Sequence, residues 1–323
     1  SAGQLGTGDN NSSNIPVKVV DSGVTYVDSG PTFNLFIKED GSLWGMGLNS
    51  IGQLGTGDNN GSNVPIKVVD SGVVAVAAGL SFTNFIKEDG SLWAMGNNHA
   101  GQLGTGDNNS SNIPVKVVDS GVVAVASGVG HTAFVKTDGS LWGMGLNFSG
   151  QLGTGDNNSS NVPVKILDSG VVAVAAGMYH TNFIKENGSL WGMGTNNSGQ
   201  LGTGDNHSSN VPVKVVDSGV VAVAAGGFNT MFRKTDGSLW GTGVNSSSQL
   251  GADNAVSVTS PTKIWPRGIS WTEQRLSHSD GNFSFNGDFA VNSHSIIVQP
   301  NANSESIHIF ARNNEGLYLE QEK

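Results

Sequence analysis

The hexapeptide Gln-Leu-Gly-Thr-Gly-Asp begins at Gln4, Gln53, Gln102, Gln151 and Gln200, always 49 residues apart, and a worn copy, Gln-Leu-Gly-Ala-Asp, begins at Gln249. Five repeats therefore run 3–51, 52–100, 101–149, 150–198 and 199–247. A fixed period of this length marks supersecondary units that stack because none can bury its apolar face alone. The chain enters in mid-repeat, since Ser1-Ala2 precede Gly3 as His99-Ala100 precede Gly101. Either the parent polypeptide is longer, or a processed terminus stands here.

The fourth repeat shows the local grammar. Val171–Ala175 is a β-branched run with small partners, and Thr181–Lys185 follows after a short turn. Glu186-Asn187-Gly188 is a hairpin signal, because Asn-Gly supplies the positive φ that a tight turn needs. Ser189–Gly194 reads as a third strand and Val211–Val216, with Pro212, as a fourth. Proline cannot donate to a ladder, so the fourth strand belongs at a sheet edge. No stretch sustains helical periodicity. The chain is thus all-β. Four-stranded antiparallel units of this size, set radially, make a β-propeller. Trp44, Trp93, Trp142, Trp191 and Trp240 hold one position on the third strand. Met46, Met95, Met144 and Met193 follow two residues later, on the same face, and the two sets read as packing between blades.

The motifs Ala176-Gly177-Met178-Tyr179-His180-Thr181, Gly188-Ser189-Leu190-Trp191 and Gly199-Gln200-Leu201-Gly202 resemble the repeat of the RCC1 family (regulator of chromosome condensation 1), bacterial members above all. The resemblance covers about residues 1–265 and is repeated five times. It implies a propeller, typically of seven blades. The family histidine stands here only at His131 and His180, with Phe33, Phe82 and Asn229 in its place elsewhere, so no shared histidine chemistry carries over. Nucleotide exchange on a small GTPase is not implied. Secreted members that inhibit β-lactamases show that the fold can act by binding alone.

The period is lost near Trp265. From there Trp271–Leu276 is echoed by Tyr318–Lys323, with Ser295–Pro300 and Ser306–Arg312 between them. Residues 266–323 resemble one FG-GAP blade. Such blades often carry a calcium loop, and Asp280–Asp288 has some of the oxygens without their regular spacing. Calcium there is the one cofactor left open. Five complete blades account for 1–265, and the proline strand Ile15–Val20 is left over. Residues 266–323 could supply its partners and close a ring of six or seven blades. Alternatively those partners lie upstream, and 266–323 starts a second propeller.

Composition removes several functions. With 26 acidic and 16 basic residues the formal charge is −10, and no Lys/Arg cluster is available for phosphates, so nucleic acid is not an expected partner. The absence of cysteine removes disulfides and thiolate metal sites and suits a secreted bacterial protein. No apolar run is long enough to insert in a membrane. No convergent nucleophile or acid–base pair points to catalysis. His131 and His180 have no repeating acidic third ligand, so no metal site is expected.

Differences among near-identical repeats are the remaining signal. The turn after the first strand varies as Pro31-Thr32-Phe33, Leu80-Ser81-Phe82, Val129-Gly130-His131, Met178-Tyr179-His180 and Gly227-Phe228-Asn229. The connection after the third strand varies at His99 and Phe148. In an antiparallel meander both connections leave the same end, which places the variation on one rim. The predicted ligand-binding residues are Phe33, Phe82, His99, His131, Phe148, Met178, Tyr179, His180, Phe228 and Asn229. The expected function is non-enzymatic recognition of a protein or glycan outside the cell or at its surface. The alternatives are a structural repeat of a larger appendage or adhesin, or an inhibitor of a secreted enzyme. Drift at tolerant loop tips would leave the same variation without a ligand.

Overall fold

A computed structural model of the chain describes residues 3–251 and 256–264, and beyond them the strand backbones 276–279, 282–285, 295–300, 307–312 and 318–319. The chain divides into two compact units, Ser1–Ile264 and Trp265–Lys323. In the first unit, blade 1 is β1 (Val24–Ser29), β2 (Phe33–Lys38), β3 (Leu43–Gly47) and β4 (Ser62–Val69). Blade 2 is β5 (Val73–Ala78), β6 (Phe82–Lys87), β7 (Leu92–Gly96) and β8 (Ser111–Val118). Blade 3 is β9 (Val122–Ser127), β10 (His131–Lys136), β11 (Leu141–Gly145) and β12 (Ser160–Leu167). Blade 4 is β13 (Val171–Ala176), β14 (His180–Lys185), β15 (Leu190–Gly194) and β16 (Ser209–Val216). Blade 5 is β17 (Val220–Ala225), β18 (Asn229–Lys234), β19 (Leu239–Gly243) and β20 (Val258–Lys263). Each sheet keeps its strands in chain order, and the proline strand is outermost in every one. Neighbouring inner strands lie side by side, β1 on β5, β5 on β9, β9 on β13 and β13 on β17.

The Asp-Gly-Ser-Leu-Trp motif builds the middle hairpin. Asp89 Oδ1 accepts from the Ser91 amide at 2.9 Å and from the Ser91 hydroxyl, and the Trp93 indole N–H donates to Ser91 Oγ at 2.8 Å. These bonds fasten the turn to the third strand, where Trp93 stacks on Phe85 with ring centroids 6.1 Å apart. The turn glycine Gly90 has φ +72°, and its carbonyl accepts from the amide of Val122, the first residue of the next blade's inner strand, at 2.9 Å. The Asp-Asn-Asn loop is closed in the same local way. Asp58 accepts from the Thr56 hydroxyl at 2.9 Å and from the amide and side chain of Asn60, an Asx turn that occupies the carboxylate.

The core sits between blades. Leu35, Ile37, Leu43 and Leu54 of blade 1 pack against Val73, Val76, Phe85 and Met95 of blade 2, all buried, with Trp93 partly buried beside them. The same cluster recurs between blades 2 and 3, 3 and 4, and 4 and 5. Further out, each Gln-Leu-Gly-Thr-Gly loop reaches forward onto the next blade: the Gly57 amide donates to Asn112 O at 2.8 Å, and Asn112 Nδ2 returns a bond to Gly57 O at 3.1 Å. The repeated hexapeptide is therefore a blade-to-blade clasp.

Residues 15–20, expected as an edge strand, lie outside any ladder, with Ile15 and Val17 exposed. No third strand stands beside them among the described residues, and an outer strand holds its form through that partner. In the second unit, β21 (Leu276–Ser279) pairs with β22 (Asn282–Phe285). There β23 (Ser295–Pro300), β24 (Ile307–Arg312) and β25 (Tyr318–Leu319) form an antiparallel meander. Most of the calcium loop expected at Asp280–Asp288, including both its aspartates, and much of the FG-GAP-like stretch lie outside the described residues.

Candidate functional site at the channel mouth

Both variable connections leave one end of each blade and are tied together there. The amides of Leu48, Asn97, Leu146, Thr195 and Val244 donate to the carbonyls of Thr32, Ser81, Gly130, Tyr179 and Phe228, at 2.7–2.9 Å. Phe148 and Tyr179 thus belong to the same rim. The five inner strands line a cavity of about 490 Å³. The middle residues of the first turns, Pro31, Leu80, Val129 and Met178, form an apolar collar at its mouth. Across the later blades the collar is stitched by backbone bonds, Val129 N to Met178 O and Met178 N to Gly227 O, both 3.3 Å.

The predicted residues separate into two groups. Phe148 (73% exposed), Phe228 (41%) and Met178 (36%) project to solvent, His99 is exposed, and Tyr179 is half-buried. Phe33, Phe82, His131 and His180 are fully buried, which corrects their placement at the binding rim. Each opens the second strand of its blade, and the pleat turns its side chain into the interface with the next blade. Two invariant glycines make room for it. At Phe82 these are Gly79, where a β-carbon would strike the ring, and Gly96, its ladder partner, where a β-carbon would strike the Phe82 backbone. Asn229 holds the equivalent position in blade 5 and is half-buried.

The two histidines are structural. His131 Nε2 lies 3.0 Å from Thr181 Oγ1, and His180 Nε2 lies 3.0 Å from Thr230 Oγ1, each pair bridging two blades. Burial lowers the His131 pKa to about 3, helped by nearby His180, and burial lowers that of His180 to about 4. Both imidazoles are neutral at ordinary pH. Among the described residues no three His, Cys, Asp or Glu side chains gather as a metal site, and no helix is long and apolar enough to cross a membrane.

Two residues of the cavity wall were not singled out from the sequence. The inner strands read Val-Val-Ala-Val-Ala-Ala or nearly so in blades 2 to 5, but β1 reads Val-Thr-Tyr-Val-Asp-Ser. Tyr26 and Asp28 therefore stand where the other blades have alanine, and both line the cavity. Asp28 Oδ2 accepts from the Ala78 amide of blade 2 at 2.7 Å. Burial raises the Asp28 pKa against the pull of that bond and of the Ser29 amide. Burial and the neighbouring Asp28 raise that of Tyr26. The signal lies in the inner strands, where blade 1 alone departs from alanine at these two positions.

Five radial four-stranded blades around an axial cavity define a β-propeller. The family model of the RCC1-like domain matches residues 1–303, and the chain belongs to that family. Among solved structures it is similar to human WBSCR16, with 23% identity, TM-score 0.68, and 94% of this chain and 82% of that one covered. It is also similar to yeast RCC1 (Prp20) in its complex with Kap60, with 20% identity, TM-score 0.60, and coverage of 76% and 75%. At these identities the likeness concerns the fold. No curated protein matches the sequence.

Proposed function

We propose that this propeller is a non-enzymatic binding module that holds a protein partner at the channel mouth, and that it works outside the cell or at its surface. The observation that carries the binding reading is the gathering of Phe148, Phe228, Met178 and Leu80, all solvent-exposed, on the one rim where the repeats differ. Exposed aromatic and methionine side chains on a rigid scaffold are the usual anchors of an interface. RCC1-like propellers are generally binding or exchange-factor folds rather than catalysts. Yeast Prp20 in particular has been solved with Kap60 and studied for its binding to Gsp1p and histones. The extracellular setting rests on the sequence, which has no cysteine and is rich in Asn, Ser and Gly.

A displayed library of protein fragments, selected on the immobilised propeller, tests this reading. Recapture of the selected binders should fall at least about tenfold on a Phe148→Ala, Phe228→Ala double variant with an unchanged melting temperature. Equal recapture would remove the mouth as the binding face, and selective capture of glycans would replace the partner class.

A further inference from the structure

We propose that the axial cavity receives one cationic side chain, a lysine or arginine carried on an apolar loop of the protein partner, and that Asp28 selects it as counter-ion. This rests on the mouth being a protein-binding face and adds what the partner must bring to it.

Four observations converge on Asp28. Among the described residues lining the cavity it is the only ionisable group besides Tyr26, and no Lys, Arg or His stands there to balance it. It departs from the repeat, since the other blades have alanine at that position. The Ala78 amide holds its carboxyl against the wall at 2.7 Å. A carboxylate accepts about four hydrogen bonds, so acceptor capacity remains for a guest. It also sits three residues below Pro31, about 10 Å along the strand from the collar.

The shape of the cavity selects the same guest. Leu80, Val129 and Met178 line the entrance, valine and alanine form the walls, and one carboxylate lies beneath. Lysine and arginine have the matching order, an apolar stem and then a charged head. A volume of about 490 Å³ suits one long side chain and its flanking loop residues. An anionic guest would meet Asp28 in a chain whose formal charge is already −10. The stability of the empty propeller does not account for the residue either. Burial disfavours the ionised form of Asp28, so the carboxylate opposes folding at neutral pH, and a cation in the cavity removes that opposition.

The test is an NMR titration of the propeller with three peptides, acetyl-Leu-X-Leu-amide, where X is lysine, norleucine or glutamate. The lysine peptide should shift the Ala78 amide and bind about tenfold more tightly than the norleucine peptide, with glutamate weakest. Asp28→Asn keeps an acceptor oxygen for the Ala78 amide but removes the charge, so lysine and norleucine should then bind alike. In the wild type alone, the lysine advantage should shrink between about 0.02 and 0.5 M salt, a readout that does not depend on the variant folding. Equal binding of lysine and norleucine by the wild type, or a lysine advantage that survives in Asp28→Asn, overturns the inference. If norleucine still shifts Leu80 and Met178 in that case, the mouth stands as a binding face and only the charge selection fails. If no peptide shifts the collar, both readings fall together.

Discussion

Within a single turn of blade 4, Met178 and His180 are two residues apart and have opposite fates. Met178 stands in the collar at the cavity mouth, and His180 is sealed between blades with its Nε2 on Thr230. Both positions vary among the repeats, yet only the first is available to a ligand. Variation at the buried position instead gives each interface its own chemistry. Phe33 and Leu35 make the interface of blades 1 and 2 apolar, whereas His180, Asn182 and Thr230 make that of blades 4 and 5 a hydrogen-bonded layer. Such differences help each copy of a near-identical repeat to find its own neighbour, a form of register control.

The largest effect expected from breaking this contrast is at the buried position. Phe82→Ala should cost about 3–5 kcal/mol in urea denaturation, because the ring is wholly enclosed and its glycine neighbours cannot refill the space. A loss near zero would return Phe82 to the rim. Next come the histidines. In the unfolded chain they take up protons below about pH 6.5. In the fold they stay neutral down to about 4 for His180 and about 3 for His131. Protons therefore favour unfolding, and stability should fall by about 1.4 kcal/mol per pH unit for each histidine as pH drops from 6.5 toward 4. A His131→Phe, His180→Phe double variant copies the choice made in blades 1 and 2. It also removes the buried Nδ1 of His131, which has no hydrogen-bond partner. Thermal melts across pH should show this acid sensitivity in the wild type and lose it in the variant.

Asp28 should behave in the opposite sense. Its raised pKa means that the native state keeps its proton above the ordinary carboxylate range, so stability falls as pH rises through that window. Asp28→Asn should therefore melt no lower than the wild type at pH 7, and a markedly lower melting temperature would recast Asp28 as a structural clamp on Ala78. The smallest effects belong to the exposed aromatic residues of the rim. Phe148→Ser and Phe228→Ser should each change stability by less than about 0.5 kcal/mol by urea titration.

Much of the scaffold was legible because its rules are local and repeated five times. Pro212 marked the outer strand of the fourth repeat, and the strands proposed for that repeat lie within a residue or two of those observed. The Asn187-Gly188 pair marked the middle hairpin, whose side-chain bonds then explain why serine and tryptophan follow it. The shared rim was legible as well, since strand direction alone sets which connections emerge together. What stayed hidden depended on side-chain direction. Whether the last residue of the first turn faces solvent or the next blade depends on where the ladder starts, and β6, β10 and β14 begin on that very residue. The signal was present in the invariant glycines before and opposite each ring. Tyr26 and Asp28 were hidden for a different reason: they lie inside a strand, where a departure from the repeat does not by itself say whether the side chain faces the cavity or a neighbouring blade.

The proposed recognition surface is the variable rim and not the constant one, where Val74, Val123 and Val172 are also exposed at a bulge in the inner strand. Hydroxyl-radical footprinting of the propeller with a selected binder compares the two rims in one experiment. The expected result is protection of Leu80, Met178, Phe148 and Phe228 with no change at the three valines. Protection of the valines, with the collar as reactive as in the free protein, would move the binding face to the constant rim.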